Sequence, residues 1–196
     1  MNFEDAKGYI LNKLKEELDP RLTYHSIAHT MDVLQSAIRL GKLEKITTHD
    51  TLLLKTATLY HDSGMLKRYV GHEDASVEII RDLLPAFDYT PKEIDLIAGM
   101  ILTTKLPQSA NTHLEMILCD ADLDYLGRDD FFMIAHQLHY EWNIMNFHQT
   151  TLKEWYQLQL KFLSGHHYFT PSAIALREAS KAMNLKQIME ILPNEI

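Results

Sequence analysis

Four short stretches carry ionisable side chains where a helical protein would ordinarily bury apolar ones: Tyr24-His-Ser-Ile-Ala-His29, His61-Asp62, Gly71-His-Glu-Asp-Ala-Ser76 and Cys119-Asp-Ala-Asp-Leu-Asp-Tyr-Leu-Gly127. His25 and His29 are four apart, so a helix through both would present them on one face. His61 and Asp62 end an apolar run containing Leu52, Leu53, Leu54, Ala57, Leu59 and Tyr60, and Ser63-Gly64 follows as a helix stop. Glu73 and Asp74 in a first turn would complement a helix dipole, at ~0.3–1 kcal/mol each. Asp120, Asp122 and Asp124 are spaced by two and cannot share one helix face, so at least one is expected at the surface. Each stretch alone has an ordinary structural explanation. Together they supply what a cation with mixed nitrogen and oxygen ligands requires, namely imidazoles and carboxylates converging from separate helices. His29, His61, Asp62 and an aspartate of the 120–124 run form such a set. A buried carboxylate without a partner is costly, and a divalent cation is the strongest partner available to it.

The elements that must position these residues read as helices. Apolar residues recur at helical spacing over residues 3–18, 24–43, 48–60, 72–84, 91–104, 114–125, 129–144, 152–163 and 171–189. Thr90 is a natural N-cap before Pro91, and Asp19-Pro20, Pro85 and Gly127 mark ends. Strand-type alternation and repeats are absent. The expected fold is all-α, a single globular bundle of about eight or nine helices spanning 1–196.

Composition narrows the function. A chain of 196 residues with 46% hydrophobic and 23% charged residues suits one well-filled soluble domain. The net charge of −8 and the lack of a basic stripe argue against nucleic acid as a partner. No apolar run reaches the ~18 residues of a membrane span. The acidic, mixed N-terminus does not read as a signal peptide, so a cytoplasmic location is expected. One cysteine, Cys119, leaves neither an internal disulfide nor a cysteine-based zinc site.

The order His29, His61-Asp62, Asp122 resembles the H…HD…D signature of the HD-domain superfamily of metal-dependent phosphohydrolases. The contexts YHSIAHTMDVL, ATLYHDSGM, HEDAS and DADLDYLG carry the resemblance, with TTKLPQ and LHYEW beyond them similar to a predicted HD phosphohydrolase branch. The resemblance covers about residues 20–145, and the helices of about 146–196 are expected to pack on that core. It implies His29, His61, Asp62 and Asp122 as metal ligands, with Asp120 an alternative to Asp122. Two-metal members bring further histidines after the HD doublet. His72 fills the first such place, but Ile101-Leu-Thr-Thr-Lys105 holds none at the second, so one divalent ion is expected, with Mn, Fe, Co, Ni, Mg and Zn all open.

The implied activity is hydrolysis of a phosphoester in a nucleotide or other small phosphorylated metabolite. Asp62 would orient the water as well as ligate. Glu73 is the candidate general acid or base, with His72 able to protonate the leaving group or contact phosphate. Lys67 and Lys105 are candidate phosphate contacts, and His25 is expected to support His29 or the pocket rim. Trp142 reads as packing and Glu141 as solvent-facing with a possible pocket role. His113 reads as surface, and His166-His167 as a helix C-terminus favouring partly charged imidazoles. The alternatives are a metal-containing nucleotide-binding module without turnover, a two-iron oxygenase and a helical interaction protein. Oligomeric state is open.

Overall fold

The computed structural model describes residues 1–192. Among them are nine α-helices, three short 3-10 turns and no strand. The helices are α1 (Phe3–Glu17), α2 (Ile27–Leu43), α3 (Thr48–Tyr60), α4 (His72–Leu83), α5 (Pro91–Thr103), α6 (His113–Asp122), α7 (Phe131–Ile144), α8 (Leu152–Gly165) and α9 (Pro171–Ile191). No described helix is long and apolar enough to cross a membrane.

Local signals account for most starts. Thr90, Thr112 and Thr151 each cap a helix through the hydroxyl, and Glu93, Glu115 and Glu154 reach back to the capping backbone N–H. Each such reciprocal cap is worth about 1 kcal/mol. Thr47 and Thr170 cap α3 and α9 in the simpler way.

Three boundaries differ from the sequence expectation, and all three shape the site. α2 begins at Ile27 rather than 24, because Ser26 is its N-cap and accepts from the His29 N–H at 3.4 Å. His25 therefore precedes the helix and does not share a helix face with His29. Ser63-Gly64 does not release the chain, which continues into the 3-10 turn Ser63–Leu66. Gly64 is required there by close approach: a Cβ would sit 1.9 Å from the His72 carbonyl oxygen. Its N–H donates to Ser76 Oγ at 2.7 Å, and Ser76 donates onward to the His61 carbonyl at 2.7 Å. Those bonds lock the start of α4 onto the end of α3. Gly71, just before α4, has φ +71°, a left-handed conformation that favours glycine. Finally, α6 stops at Asp122, and Asp124 opens a separate 3-10 turn, Asp124–Gly127.

The apolar interior forms two clusters. One joins α1 to α6, with Ile10, Leu40, Leu53, Tyr60, Ile80 and Ile97 among its fully buried members. The other joins α7, α8 and the end of α9 through Phe131, Trp155, Leu163 and Ile188, and takes in Tyr24, Tyr125 and Leu126. The two clusters interleave along the chain, since Tyr168 and Ala173 pack in the first and Tyr24 in the second, and α1 belongs to the first. Residues 193–196 of the expected C-terminal helical part lie outside the described residues.

Candidate metal centre

Three helix ends and the first turn of a fourth helix meet at the seam between the clusters. α2 contributes His29 from its first turn, α3 ends at His61 and Asp62, and α6 ends at Asp122. His29 Nε2 lies 3.4 Å from Asp62 Oδ2 and 3.3 Å from Asp122 Oδ1. His61 Nε2 lies 3.1 Å from Asp62 Oδ2 and 3.5 Å from Asp122 Oδ1. His72, first in α4, places Nε2 3.3 Å from Asp62 Oδ1. The expected ligands His29, His61, Asp62 and Asp122 do converge.

Tautomers are set by backbone carbonyls. His61 Nδ1 faces the Thr58 carbonyl at 2.8 Å and His72 Nδ1 faces the Tyr69 carbonyl at 3.0 Å. Each ring donates its Nδ1 proton there, which leaves Nε2 as the lone-pair nitrogen directed at the aspartates when the imidazole is neutral. His61 Nε2 and Asp62 Oδ2 are buried and make no hydrogen bond of adequate geometry despite their proximity. Two orphaned atoms of ligand type at the meeting point of two imidazoles and two carboxylates fit a divalent cation.

Electrostatics agree. Burial alone would lower the His29 pKa, but contact with Asp122 and Asp62 outweighs it and raises the value to about 9. His61 is likewise raised, against burial, by Asp62 and Asp122. Burial would raise the two carboxyls, yet the histidines hold Asp62 well below its ordinary range and Asp122 at about 2. Without a cation, protons on these imidazoles neutralise the carboxylates.

Potential ligand atoms fall into two groups: His29, His61 and Asp122, and His25, Asp62 and His72, each within 4.8 Å of one another. His25, expected to support His29 or the pocket rim, belongs to the second group, and its Nδ1 is held in a short contact by Glu141 Oε1. Glu141, expected to face solvent, is fully buried. Its Oε2 accepts from the Tyr24 and His25 N–H groups at 2.7 and 3.0 Å, and its Oε1 from the Tyr69 hydroxyl at 2.8 Å. Burial would raise its pKa, but these donors, His25 first, hold it below the ordinary value.

None of the three aspartates of the 120–124 run is exposed, contrary to expectation. Each turns to a different partner. Asp122 faces the histidines. Asp120 accepts from the Phe169 and Thr170 N–H groups at 2.8 Å each, anchoring the start of α9, and so is not the last ligand. Asp124 binds Arg177 and Arg39, at 2.8 and 2.7 Å.

A cavity of about 870 Å³ opens from the centre. Glu73 lines it, with Oε1 3.7 Å from His72 Nε2. Lys105 stands at its rim, 3.4 Å from the exposed Asp74. Lys67 is not brought to the site: it lies outside the cavity wall, and its ammonium contacts Glu78 at 3.3 Å. His113 is a surface residue 2.9 Å from Glu44, as expected. His166 is not a charged helix terminus, because burial and the neighbouring Lys181 lower its pKa to about 4. Sequence reasoning missed Tyr69, Gln159 and His166 in the cavity wall. No local pattern marks them.

Residues 26–124, about half of the chain, match the family described as HD domain. An uncharacterized protein of Clostridium beijerinckii is 29% identical over 106 residues, 53% of this chain and 67% of that protein. A solved structure of a predicted HD superfamily hydrolase from an uncultured Thermotogales bacterium superposes with a TM-score of 0.61 at 19% identity. It covers 96% of this chain and 90% of that one, which establishes a common fold.

Proposed function

This chain belongs to the HD-domain family, and from that premise we propose that it is a metal-dependent phosphohydrolase acting on a nucleotide or other small phosphorylated metabolite. The observation that carries this reading is the pair of orphaned buried atoms, His61 Nε2 and Asp62 Oδ2, within the His29, His61, Asp62, Asp122 set. Those four residues would hold the ion. When bound, a divalent cation supplies an acidified water and neutralises phosphoryl charge.

The chain's own residues supply the rest. Asp62 touches both ligand groups, so its carboxylate orients the attacking water as well as ligating. Glu73, in the cavity wall beside His72, accepts the proton of that water. The water oxygen bonds to phosphorus as the phosphorus–oxygen ester bond breaks. His25 is the better proton donor to the departing oxygen, because Glu141 fixes one ring nitrogen and leaves Nε2 for the substrate. His72 backs Asp62, and Lys105 at the rim is the lysine offered to a phosphoryl oxygen. Lys67 has no part in this reading.

The test is phosphate release from nucleoside mono-, di- and triphosphates and simple phosphomonoesters. Metal-stripped protein is resupplied with each divalent ion and compared with Asp62→Ala. Turnover that needs the ion and vanishes in the variant supports the reading. Tight metal binding without turnover on any compound would overturn it in favour of a nucleotide-sensing module.

A further inference from the structure

The cavity has a direction, set by the rings that carry its wall outward from His25. Measured between ring centres, Tyr69 stands 5.8 Å from His25, Phe147 stands 5.0 Å from Tyr69, and Trp142 stands 5.5 Å from Phe147. All four residues line the cavity. His25 is the group that hands a proton to the departing oxygen, so the file of rings beyond it lies on the leaving-group side of the reaction.

Few polar groups are offered along that side. Thr104 Oγ1 donates to the Ile101 carbonyl at 2.8 Å and the Gln108 amide to the Cys119 carbonyl at 3.2 Å, so both are committed to the protein. Among the described residues, the carboxylates of the wall are Asp62, Glu73 and Asp122, all at the metal centre or beside it. Its lysines are Lys105 and Lys161, and the first already faces Asp74. A leaving group rich in hydroxyls or phosphates would give up water there for an apolar surface. The mouth shows the opposite preference. Val70, Leu106, Phe147 and Leu158 line it while 38% to 70% exposed, and apolar side chains left open together at a cavity mouth mark a binding surface.

We propose that the outer cavity holds the apolar body of the leaving alcohol, so that the substrate is the phosphomonoester of a hydrophobic aromatic alcohol. That body packs against Tyr69, Phe147 and Trp142 and covers the apolar rim, which sets the ester oxygen beside His25. The water oxygen bonds to phosphorus as the phosphorus–oxygen ester bond breaks. The alcohol leaves with the proton from His25, and inorganic phosphate is the other product. Burial of the apolar body supplies binding energy that a bare sugar phosphate lacks. The inference rests on the phosphohydrolase reading for the reacting end only. The apolar subsite stands on the wall itself.

Two measurements separate the subsite from the activity. In the first, metal-free protein is titrated by calorimetry with naphthalene-1-methanol, adenosine and ribose. The naphthyl alcohol is expected to bind about tenfold more tightly than either of the others. A variant carrying both Leu106→Gln and Phe147→Ser, altered only at exposed positions, should bind it about tenfold more weakly with the melting temperature held. Leu158→Gln serves if that variant fails to fold. In the second, metal-loaded enzyme is offered 1-naphthylmethyl phosphate, adenosine monophosphate and ribose 5-phosphate. The naphthylmethyl ester should lead in kcat/KM, and its lead should collapse in the double variant. Alcohol binding that depends on the rim, without hydrolysis of any ester, would support the subsite and sink the phosphohydrolase reading. Hydrolysis in which the nucleotide or the sugar phosphate leads, unchanged in the variant, would overturn the subsite and leave the phosphohydrolase reading standing. Sedimentation as a dimer that the double variant dissociates, with no alcohol bound, would assign the rim to a second copy of this chain and overturn the subsite as well.

Discussion

His25 Nδ1 rests against Oε1 of Glu141, a fully buried carboxylate 116 residues further along the chain. The other oxygen of the same carboxylate accepts from two consecutive backbone N–H groups, those of Tyr24 and His25. One side chain in the last turn of α7 therefore fixes both the loop that enters α2 and the ring that loop carries. Tyr69, from the turn before α4, closes the network through its hydroxyl. α7 belongs to the second apolar cluster and His29 to an element of the first, so this contact ties the two halves together at the candidate metal centre.

Glu141→Gln tests that arrangement. The amide keeps size and one acceptor but loses the charge that holds the His25 ring in place, so turnover is expected to fall about 100-fold while KM and metal content hold. Steady-state kinetics beside metal analysis measure this. Unaltered turnover would remove His25 and Glu141 from proton transfer.

The three aspartates of α6 and the turn after it should separate cleanly by role. Asp122→Ala is expected to lose the ion with the fold retained. Asp120→Ala and Asp124→Ala should keep the ion but cost stability. For Asp124, whose partner Arg39 reaches solvent, the loss is expected at about 2–3 kcal/mol, toward the lower side of a broken buried ion pair. Urea unfolding of metal-free protein and metal stoichiometry decide the matter together. Loss of metal in Asp120→Ala with normal stability would reverse the assignment.

Gly64→Ala should be destabilising well beyond an ordinary glycine replacement. The new Cβ would meet the His72 carbonyl oxygen at 1.9 Å, and that oxygen is backbone at the start of α4. Separation of α4 from the turn would cost about 1–3 kcal/mol and displace His72. Thermal unfolding reads the first effect. A variant as stable as the parent would show that the junction is looser than its geometry implies.

Metal binding should release protons. His29 in the metal-free protein titrates near pH 9, and only its neutral form can ligate. Apparent affinity is therefore expected to rise with pH until about 9 and then level off. Calorimetric titration with Mn²⁺ in buffers of differing ionisation enthalpy would register the proton count. The same raised pKa stabilises the metal-free fold below the unfolded value of ~6.5. That contribution fades as pH climbs through about 9. An affinity independent of pH across the neutral range would mean that the imidazoles are not the ligands.

Much of this molecule was legible in the sequence because its signals are local. Helical periodicity and threonine caps with a glutamate three residues on act within one or two turns, so the helices of the described residues emerged close to their true bounds. The convergence of His29, His61, Asp62 and Asp122 was legible because the family pattern records them in order. What the tertiary structure decided was partnership across long separations. Asp120, Asp122 and Asp124 look alike in the chain, and their fates depend on Thr170, His29 and Arg177, which no local rule connects to them. Lys67 follows the HD doublet closely yet turns to Glu78, because α4 packs against the intervening turn and brings that carboxylate within reach. Glu141 reads as a solvated helix residue until the segment holding His25 folds over it. A charged side chain is buried only where a partner meets it, and the meeting is arranged by packing rather than by sequence neighbours.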